Sequence, residues 1–185
     1  MQLKTQRIAL VALFAALTAV CAQITVPLPL VPITLQTFAV IMSGLLLGPG
    51  LGALTQLVYL LLGAVGLPVF AGFHAGPASL VGPSGGYLWG FVAAAFIAGL
   101  VSRDPEVSLG RLTVAALAAT LVVYAVGLPW LAAVAHLPFS AAIEVGLVPF
   151  LPGDAAKVAL TIYLAWALRR RGVGGQAQTG KPSGS

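Results

Sequence analysis

The feature that most constrains this chain is a long run without charge. From Ile8 to Ser102 the sequence contains no Asp, Glu, Lys or Arg. One helix crosses the hydrocarbon core of a bilayer with about 20 apolar residues, so this run is long enough for several crossings. Soluble domains carry about 25% charged residues, whereas this chain has 7%. The sequence therefore excludes a soluble protein and predicts an all-α integral membrane protein.

Prolines and glycines divide the apolar sequence into six predicted transmembrane helices, because proline removes a backbone donor and clashes with the preceding turn. The predicted helices cover residues 6–24, 34–47, 52–66 and 86–101, a fifth from about 111 to before Pro138, and a sixth from Pro149 or Pro152 to Leu168. The second is shorter than the ~20 residues that a crossing needs. It either includes Pro32 and Ile33 or is tilted and capped by protein.

Three clusters of basic residues predict the orientation in the membrane. They are Lys4 with Arg7, Arg103 with Arg111, and Arg169–Arg171. Lys and Arg concentrate in cytoplasmic loops, and four plus two crossings place all three clusters on the cytoplasmic side. Both termini are thus predicted to be cytoplasmic, with residues 1–170 forming the six-helix membrane domain and residues 171–185 a disordered cytoplasmic tail.

This orientation places three long connecting segments on the outer side, at residues 25–32, 67–86 and 136–148. They are rich in Gly, Pro and aromatic residues. Non-helical backbone near membrane depth persists only where protein or a wet cavity satisfies its polar groups. We therefore expect the three segments to converge on a binding site that opens outward.

Asp154 and Lys157 are the sharpest candidates for that site. They lie three residues apart near the start of the last helix, so they share one helix face. Each would cost roughly 2.5–3.5 kcal/mol at the bilayer centre. Two interpretations are open: a mutually neutralising pair near the interface, or a pair that faces a ligand cavity.

Weaker candidates come from the other segments. Gln36, with Thr34 and Thr37 nearby, either contacts a ligand or hydrogen-bonds a neighbouring helix. Tyr87 follows a Gly-Gly pair that permits close backbone approach, and it is either a ligand contact or a tyrosine of the interfacial belt. His74 lies in a predicted outer loop.

Metal, cofactor and enzyme chemistry are not predicted. No Asp, Glu or Cys stands at metal-ligand spacing, and a single cysteine excludes an intrachain disulfide. Residues 175–182 nearly form a phosphate-binding loop but lack the final Ser or Thr and a preceding strand. A serine-protease interpretation of Ser84 with His136 fails because His136 lies in a predicted loop rather than in a helix.

The first predicted helix contains two pairs of small residues. They are Ala12 with Ala16 and Ala15 with Ala19. Such pairs let another helix approach closely. Alanine is common in these helices, so the pattern alone is weak.

Four ordered segments resemble the BioY family, the biotin-specific substrate-binding (S) components of energy-coupling factor (ECF) transporters. The segments are VPITLQTFAVIMSGLLLGPGLGAL, LLGAVGLPVFAG, LVGPSGGYLWGF and LPGDAAKVAL. The resemblance covers about residues 5–170. It implies six helices with both termini inside, a place in the bacterial cytoplasmic membrane, and capture of biotin from the outer face.

The resemblance also implies residue roles. The motif Gly153-Asp154-Ala155-Ala156-Lys157 would contribute biotin-binding groups, and Ala12 and Ala16 match the motif that docks the coupling subunit. Relatives often carry Asn or Arg in a glycine run where this chain has His74, so the contribution of His74 is open. The implied substrate-binding residues are Gln36, Phe70, His74, Tyr87, Asp154 and Lys157.

The expected partners follow from the same considerations. The chain has no ATPase motif, so active uptake would need a transmembrane coupling subunit and ATP-hydrolysing subunits besides the lipid bilayer. No basic stripe with interleaved aromatic residues is present, so nucleic acid is not expected. The alternative is a self-sufficient secondary transporter or channel for a small polar solute. It predicts inverted repeats and ionisable residues in several helices, and no persuasive repeat is found.

Overall fold

The computed structural model describes residues 2–103 and 108–171, which are mostly helical. The helices are α1 (Gln2–Gln23), α2 (Gln36–Leu47), α3 (Pro49–Ala64), α4 (Ala78–Val81), α5 (Gly85–Val101), α6 (Leu109–Val134), α7 (Phe139–Gly146) and α8 (Leu151–Arg170). Two short antiparallel strands, β1 (Thr25–Val26) and β2 (Ile33–Thr34), form a hairpin between α1 and α2. Met1 and residues 104–107 and 172–185 lie outside the described residues, and with them the predicted tail beyond Arg171.

The six predicted helices occur as α1, α2, α3, α5, α6 and α8, and the largest differences are at the connections. The third predicted outer segment is not irregular, because α7 occupies most of it. Pro138 stands immediately before α7, and Pro152 lies in the first turn of α8. Proline is favourable at helix starts because the first helical N–H groups have no partner to lose. Each proline therefore stands at the start of a helix, several residues after the preceding helix has ended.

Helix α2 lies at the centre of the bundle. It contacts α1, α3, α5, α6 and α8, and nearly all of its residues are buried. At 1.5 Å per residue its length is about 18 Å, well short of the ~30 Å hydrocarbon core. Ile33 belongs to β2, so the interpretation that Pro32 and Ile33 extend this helix is wrong. The helix is instead surrounded by protein and preceded by the hairpin.

Small residues allow the central elements to approach closely. The turn between α2 and α3 begins at Gly48, which has φ of 84°, and it packs against Gly99 of α5. A Cβ atom added to Gly99 would lie 2.3 Å from the backbone nitrogen of Pro49. A side chain at Gly99 would therefore push this turn away from α5.

The outer surface of the bundle is apolar. Three helical stretches, Thr5–Gln23, Leu109–Val134 and Phe139–Arg170, are long and apolar enough to cross a membrane, and α2, α3 and α5 are shorter apolar helices. Large exposed side chains include Ile8, Leu13, Leu61, Leu121 and Tyr163. Such a surface suits contact with lipid rather than water.

Candidate ligand-binding cavity

A cavity of about 540 Å³ lies at the end of the bundle that carries the hairpin. Its walls come from the hairpin, the start of α2, residues 70–84, and parts of α5, α6 and α8. All six predicted substrate-binding residues line it: Gln36, Phe70, His74, Tyr87, Asp154 and Lys157. Of the three predicted outer segments only the first two contribute lining residues. The expectation that residues 136–148 also line the site is wrong, because α7 packs behind Tyr87 instead.

Asp154 and Lys157 project from the first turns of α8 and form a buried ion pair. Lys157 Nζ lies 2.5 Å from Asp154 Oδ1, and the two residues are only 8% and 6% exposed. Lys157 also donates a hydrogen bond to the backbone oxygen of Thr34 in β2, at 3.0 Å. The predicted placement on one helix face is therefore observed, and the pair is anchored to the hairpin.

Tyr124 completes the surroundings of this pair. It lies on α6, lines the cavity, and donates its hydroxyl hydrogen to Asp154 Oδ2. Tyr124 is not among the residues predicted from the sequence, since nothing near it in the chain marks a contact with a residue 30 positions away. We name Thr34, Tyr124, Asp154 and Lys157 the cavity cluster.

The buried ring of Tyr87 forms part of the cavity wall, so Tyr87 is not a residue of the interfacial belt. Its ring lies edge-on to Tyr124, with centroids 6.2 Å apart, and stacks against Phe150 at 6.4 Å. Its hydroxyl donates to the backbone oxygen of Gly146 at 2.9 Å. Gly127 makes room for this ring, because an added Cβ atom would lie 2.5 Å from it. Contacts from α6, from α7 and from Phe150, which precedes α8, thus fix the orientation of Tyr87.

Gln36 is held by a chain of hydrogen bonds at the start of α2. Its Nε2 donates to Tyr59 Oη at 2.6 Å, and Tyr59 donates onward to the backbone oxygen of Val69 at 3.1 Å. Its Oε1 accepts from Thr34 Oγ1 at 2.9 Å. The side-chain amide therefore positions the loop that carries Phe70, and it keeps one hydrogen and one lone pair for a further contact.

The loop from Val69 to Gly76 contributes Phe70 and His74 to the cavity. Phe70 is buried, lies edge-on to the ring of Tyr59, and packs tightly on Gly63. His74 is exposed, and its Nδ1 lies 2.7 Å from the backbone oxygen of Ala71. Phe70 therefore belongs to the interior of the site and His74 to its rim.

The tryptophans lie outside the cavity lining. Trp130 donates to the backbone oxygen of Gly82 at 3.0 Å, and Trp89 donates to that of Leu80 at 3.3 Å. These bonds fasten the end of α4 to α6 and α5. Trp166 packs beneath the guanidinium group of Arg170, 4.6 Å from the ring centroid.

Two hydroxyl groups beside the cavity have buried oxygens without a hydrogen-bond partner. They belong to Thr25 and Thr37, both of which line the cavity. A buried polar group without a partner costs free energy, so a ligand with donors or acceptors would be stabilised there. Among the described residues no group of His, Cys, Asp and Glu side chains could hold a metal ion. The site offers one ion pair, hydroxyl and amide groups, and aromatic walls, which together suit a small organic ligand with polar ends.

Comparison with known proteins places the chain in a family. Residues 1–173 match the model of the BioY family. A probable biotin transporter BioY of Pyrococcus horikoshii is 45% identical over 90% of this chain and 98% of its own length. The biotin transporter BioY of Thermotoga maritima is 42% identical over 85% of this chain and 92% of its own.

A solved structure matches the fold. The crystal structure of the S-component for biotin from an ECF-type ABC transporter superposes with a TM-score of 0.85 at 29% identity. The match covers 92% of this chain and 94% of that one. Since the family match spans nearly the whole chain, the protein belongs to the BioY family.

Proposed function

We propose that this chain is the biotin-binding membrane component of a biotin uptake transporter and captures biotin from the outer face of the cell membrane. The observation that carries the proposal is the family match over residues 1–173 together with a cavity lined by all six candidate residues. Members of this family are transporter components and not enzymes, so the chain is expected to bind and release biotin unchanged.

The chemistry of the cavity suits biotin. The ureido ring of biotin offers two N–H donors and one carbonyl acceptor, and its other end carries a carboxylate. The carboxylate of Asp154 accepts hydrogen bonds, and the ammonium group of Lys157 donates them. The bicyclic ring and the aliphatic chain pack against Phe70 and Tyr87, while Gln36 and His74 supply further polar contacts.

A binding experiment tests this proposal. The purified chain alone, in lipid nanodiscs, is titrated with biotin in a calorimeter, with thiamine as the control ligand. Because the polar groups of the cavity are already held in place, little ordering is required on binding. We expect a dissociation constant on the order of nanomolar and no heat with thiamine. Folded protein that gives no heat with biotin would refute the assignment.

The proposed topology has six crossings with both termini in the cytoplasm. The apolar surface and the three basic clusters support it, and in this topology the cavity would open to the outer side. A reporter that fluoresces only in the cytoplasm is fused to either end of the chain. Both fusions should fluoresce, and one well-expressed but dark fusion would contradict an even number of crossings.

The proposed partners are a transmembrane coupling subunit and ATP-hydrolysing subunits. Ala12 and Ala16 are exposed on α1, whereas Ala15 is buried in the bundle, so only the first pair of small residues is available for docking. Substituting Leu at Ala12 or Ala16 should leave biotin binding intact and weaken co-purification with a coupling subunit, because added bulk separates the helices. If biotin binding and co-purification were weakened equally, α1 would contribute only to the core of the bundle and not to docking.

A further inference from the structure

We propose that Gln23, at the end of α1, is a positioning residue that holds the loop 69–76 closed over the cavity and thereby sets the rate of ligand release. The inference rests on the proposed biotin binding. Gln23 does not line the cavity itself. It acts through a loop whose residues Phe70, Ala71 and His74 do line the cavity.

The side-chain amide of Gln23 hydrogen-bonds to this loop through both its nitrogen and its oxygen. Its Nε2 lies 3.1 Å from the backbone oxygen of Phe70 and 3.4 Å from that of Val69. Its Oε1 accepts a hydrogen bond from the backbone N–H of Phe73 at 3.0 Å. The two amide hydrogens are shared between these oxygens and the backbone oxygen of Ala19, which lies 3.3 Å from Nε2. One side chain on α1 therefore contacts two backbone acceptors and one backbone donor of a segment about 50 residues further along the chain.

The loop needs such support because its tip is strained. Gly72 has φ of 69° and Phe73 has φ of 59°. The left-handed region suits glycine but costs other residues free energy, unless surrounding contacts impose it. The side chain of Phe73 is 69% exposed, so packing contributes little there. The hydrogen bond from Phe73 N–H to Gln23 is thus a specific contact that opposes this strain.

The base of the loop is attached to a different helix. Gly76 N–H donates to the backbone oxygen of Gly63 on α3 at 2.8 Å, and Tyr59 on the same helix donates to Val69. Through Gln23 both the tip and the base are bound to α1, and the base is bound to α3 as well. A displacement of α1 relative to α3 would free the tip while the base stays in place, and the loop would then open at the side of α1.

The first experiment measures ligand release. Purified chain in nanodiscs is loaded with radiolabelled biotin and chased with excess unlabelled biotin. The test variant is Gln23→Leu, which keeps the volume and removes the amide, and the matched control is Gln6→Leu, an exposed glutamine on the same helix. We expect Gln23→Leu to release biotin about tenfold faster with a smaller change in association rate, and Gln6→Leu to match the wild type. A release rate for Gln23→Leu within about twofold of wild type would overturn the proposal.

The second experiment needs no ligand and measures hydrogen exchange of the backbone. We expect Gln23→Leu to lose protection in peptides covering residues 67–77 and to keep it in peptides from α5. Equal loss in both regions would assign Gln23 a general structural role and refute the positioning role. If the wild-type chain binds no biotin, the proposed function fails, and the exchange comparison still decides whether Gln23 holds the loop.

Discussion

The bundle contains two clusters of polar residues, one of which borders the cavity while the other does not. The cavity cluster of Thr34, Tyr124, Asp154 and Lys157 opens into the cavity. The other, which we name the interhelix cluster, consists of Thr18, Ser43 and Gln56 on α1, α2 and α3, and none of its members lines the cavity.

Both clusters are buried except for Thr34, which is half-buried, and their bonding differs. In the interhelix cluster Gln56 Nε2 donates to Ser43 Oγ at 3.1 Å and lies 3.5 Å from Thr18 Oγ1. Ser43 and Thr18 donate to backbone oxygens of their own helices. The cavity cluster instead joins three separate elements through two full charges. Burial of polar groups alone therefore does not mark a candidate ligand site, and the cavity cluster is distinguished by charged groups that border an open cavity.

The largest effect is expected from breaking the ion pair. Asp154→Asn and Lys157→Met should each weaken biotin binding at least about tenfold, which corresponds to ~1.4 kcal/mol. Each variant removes a charge-assisted hydrogen bond and leaves the other ion unpaired, and removal of one partner of a buried pair can cost ~3–5 kcal/mol of stability. Affinity is measured by calorimetry, with the melting temperature of the ligand-free protein measured beside it.

The paired measurements separate a binding role from a structural one. Loss of affinity with a small change in melting temperature would assign the pair to the ligand. A lower melting temperature with near-normal affinity in the folded fraction would leave Gln36 and Tyr87 as the remaining candidates.

A smaller effect is expected from Tyr124→Phe. This variant keeps the ring that contacts Tyr87 and removes the hydroxyl that donates to Asp154. A hydrogen bond to a charged group contributes roughly 1.5–3 kcal/mol, part of which ligand groups can replace, so we expect about a fivefold loss of affinity. Tyr163→Phe, at an exposed tyrosine on α8, is the control. Equal affinity in the two variants would remove Tyr124 from the site.

The smallest effect on binding is expected in the interhelix cluster. Gln56→Leu removes the contacts with Ser43 and Thr18, but both hydroxyls keep their bonds to backbone oxygens. It also removes the buried Gln56 Oε1, which has no partner. Biotin affinity should stay within about twofold of wild type, and stability should change by less than ~1 kcal/mol. An affinity loss as large as that of Tyr124→Phe would show that the two clusters are coupled.

A structural feature could be predicted from the sequence when the residues that produce it lie close together in the chain. Proline and glycine act on their own turns, so the six long helices were separated correctly, while the short helices α4 and α7 were not predicted. Asp154 and Lys157 lie one helical turn apart, so their proximity followed from spacing alone. Tyr124 and Gln23 were missed because their contacts join residues 30 and about 50 positions apart, which only the packed bundle brings together.

The hairpin was missed for a different reason. Its strands contain only two residues each, too few for alternation to be recognised. The segment therefore looked like an irregular proline-rich connection. The observation that it supplies a backbone acceptor to Lys157 required the structure.

The bond between Lys157 and Thr34 spans 123 positions and has a consequence for biogenesis. Thr34 leaves the ribosome long before α8 is made, and chains are synthesised at about 5–20 residues per second. Until α8 is inserted, the hairpin and the start of α2 therefore lack the charged side chain of Lys157. The candidate ligand site is completed only by α8, so a nascent chain stalled before α8 should be inserted in the membrane yet unable to retain ligand.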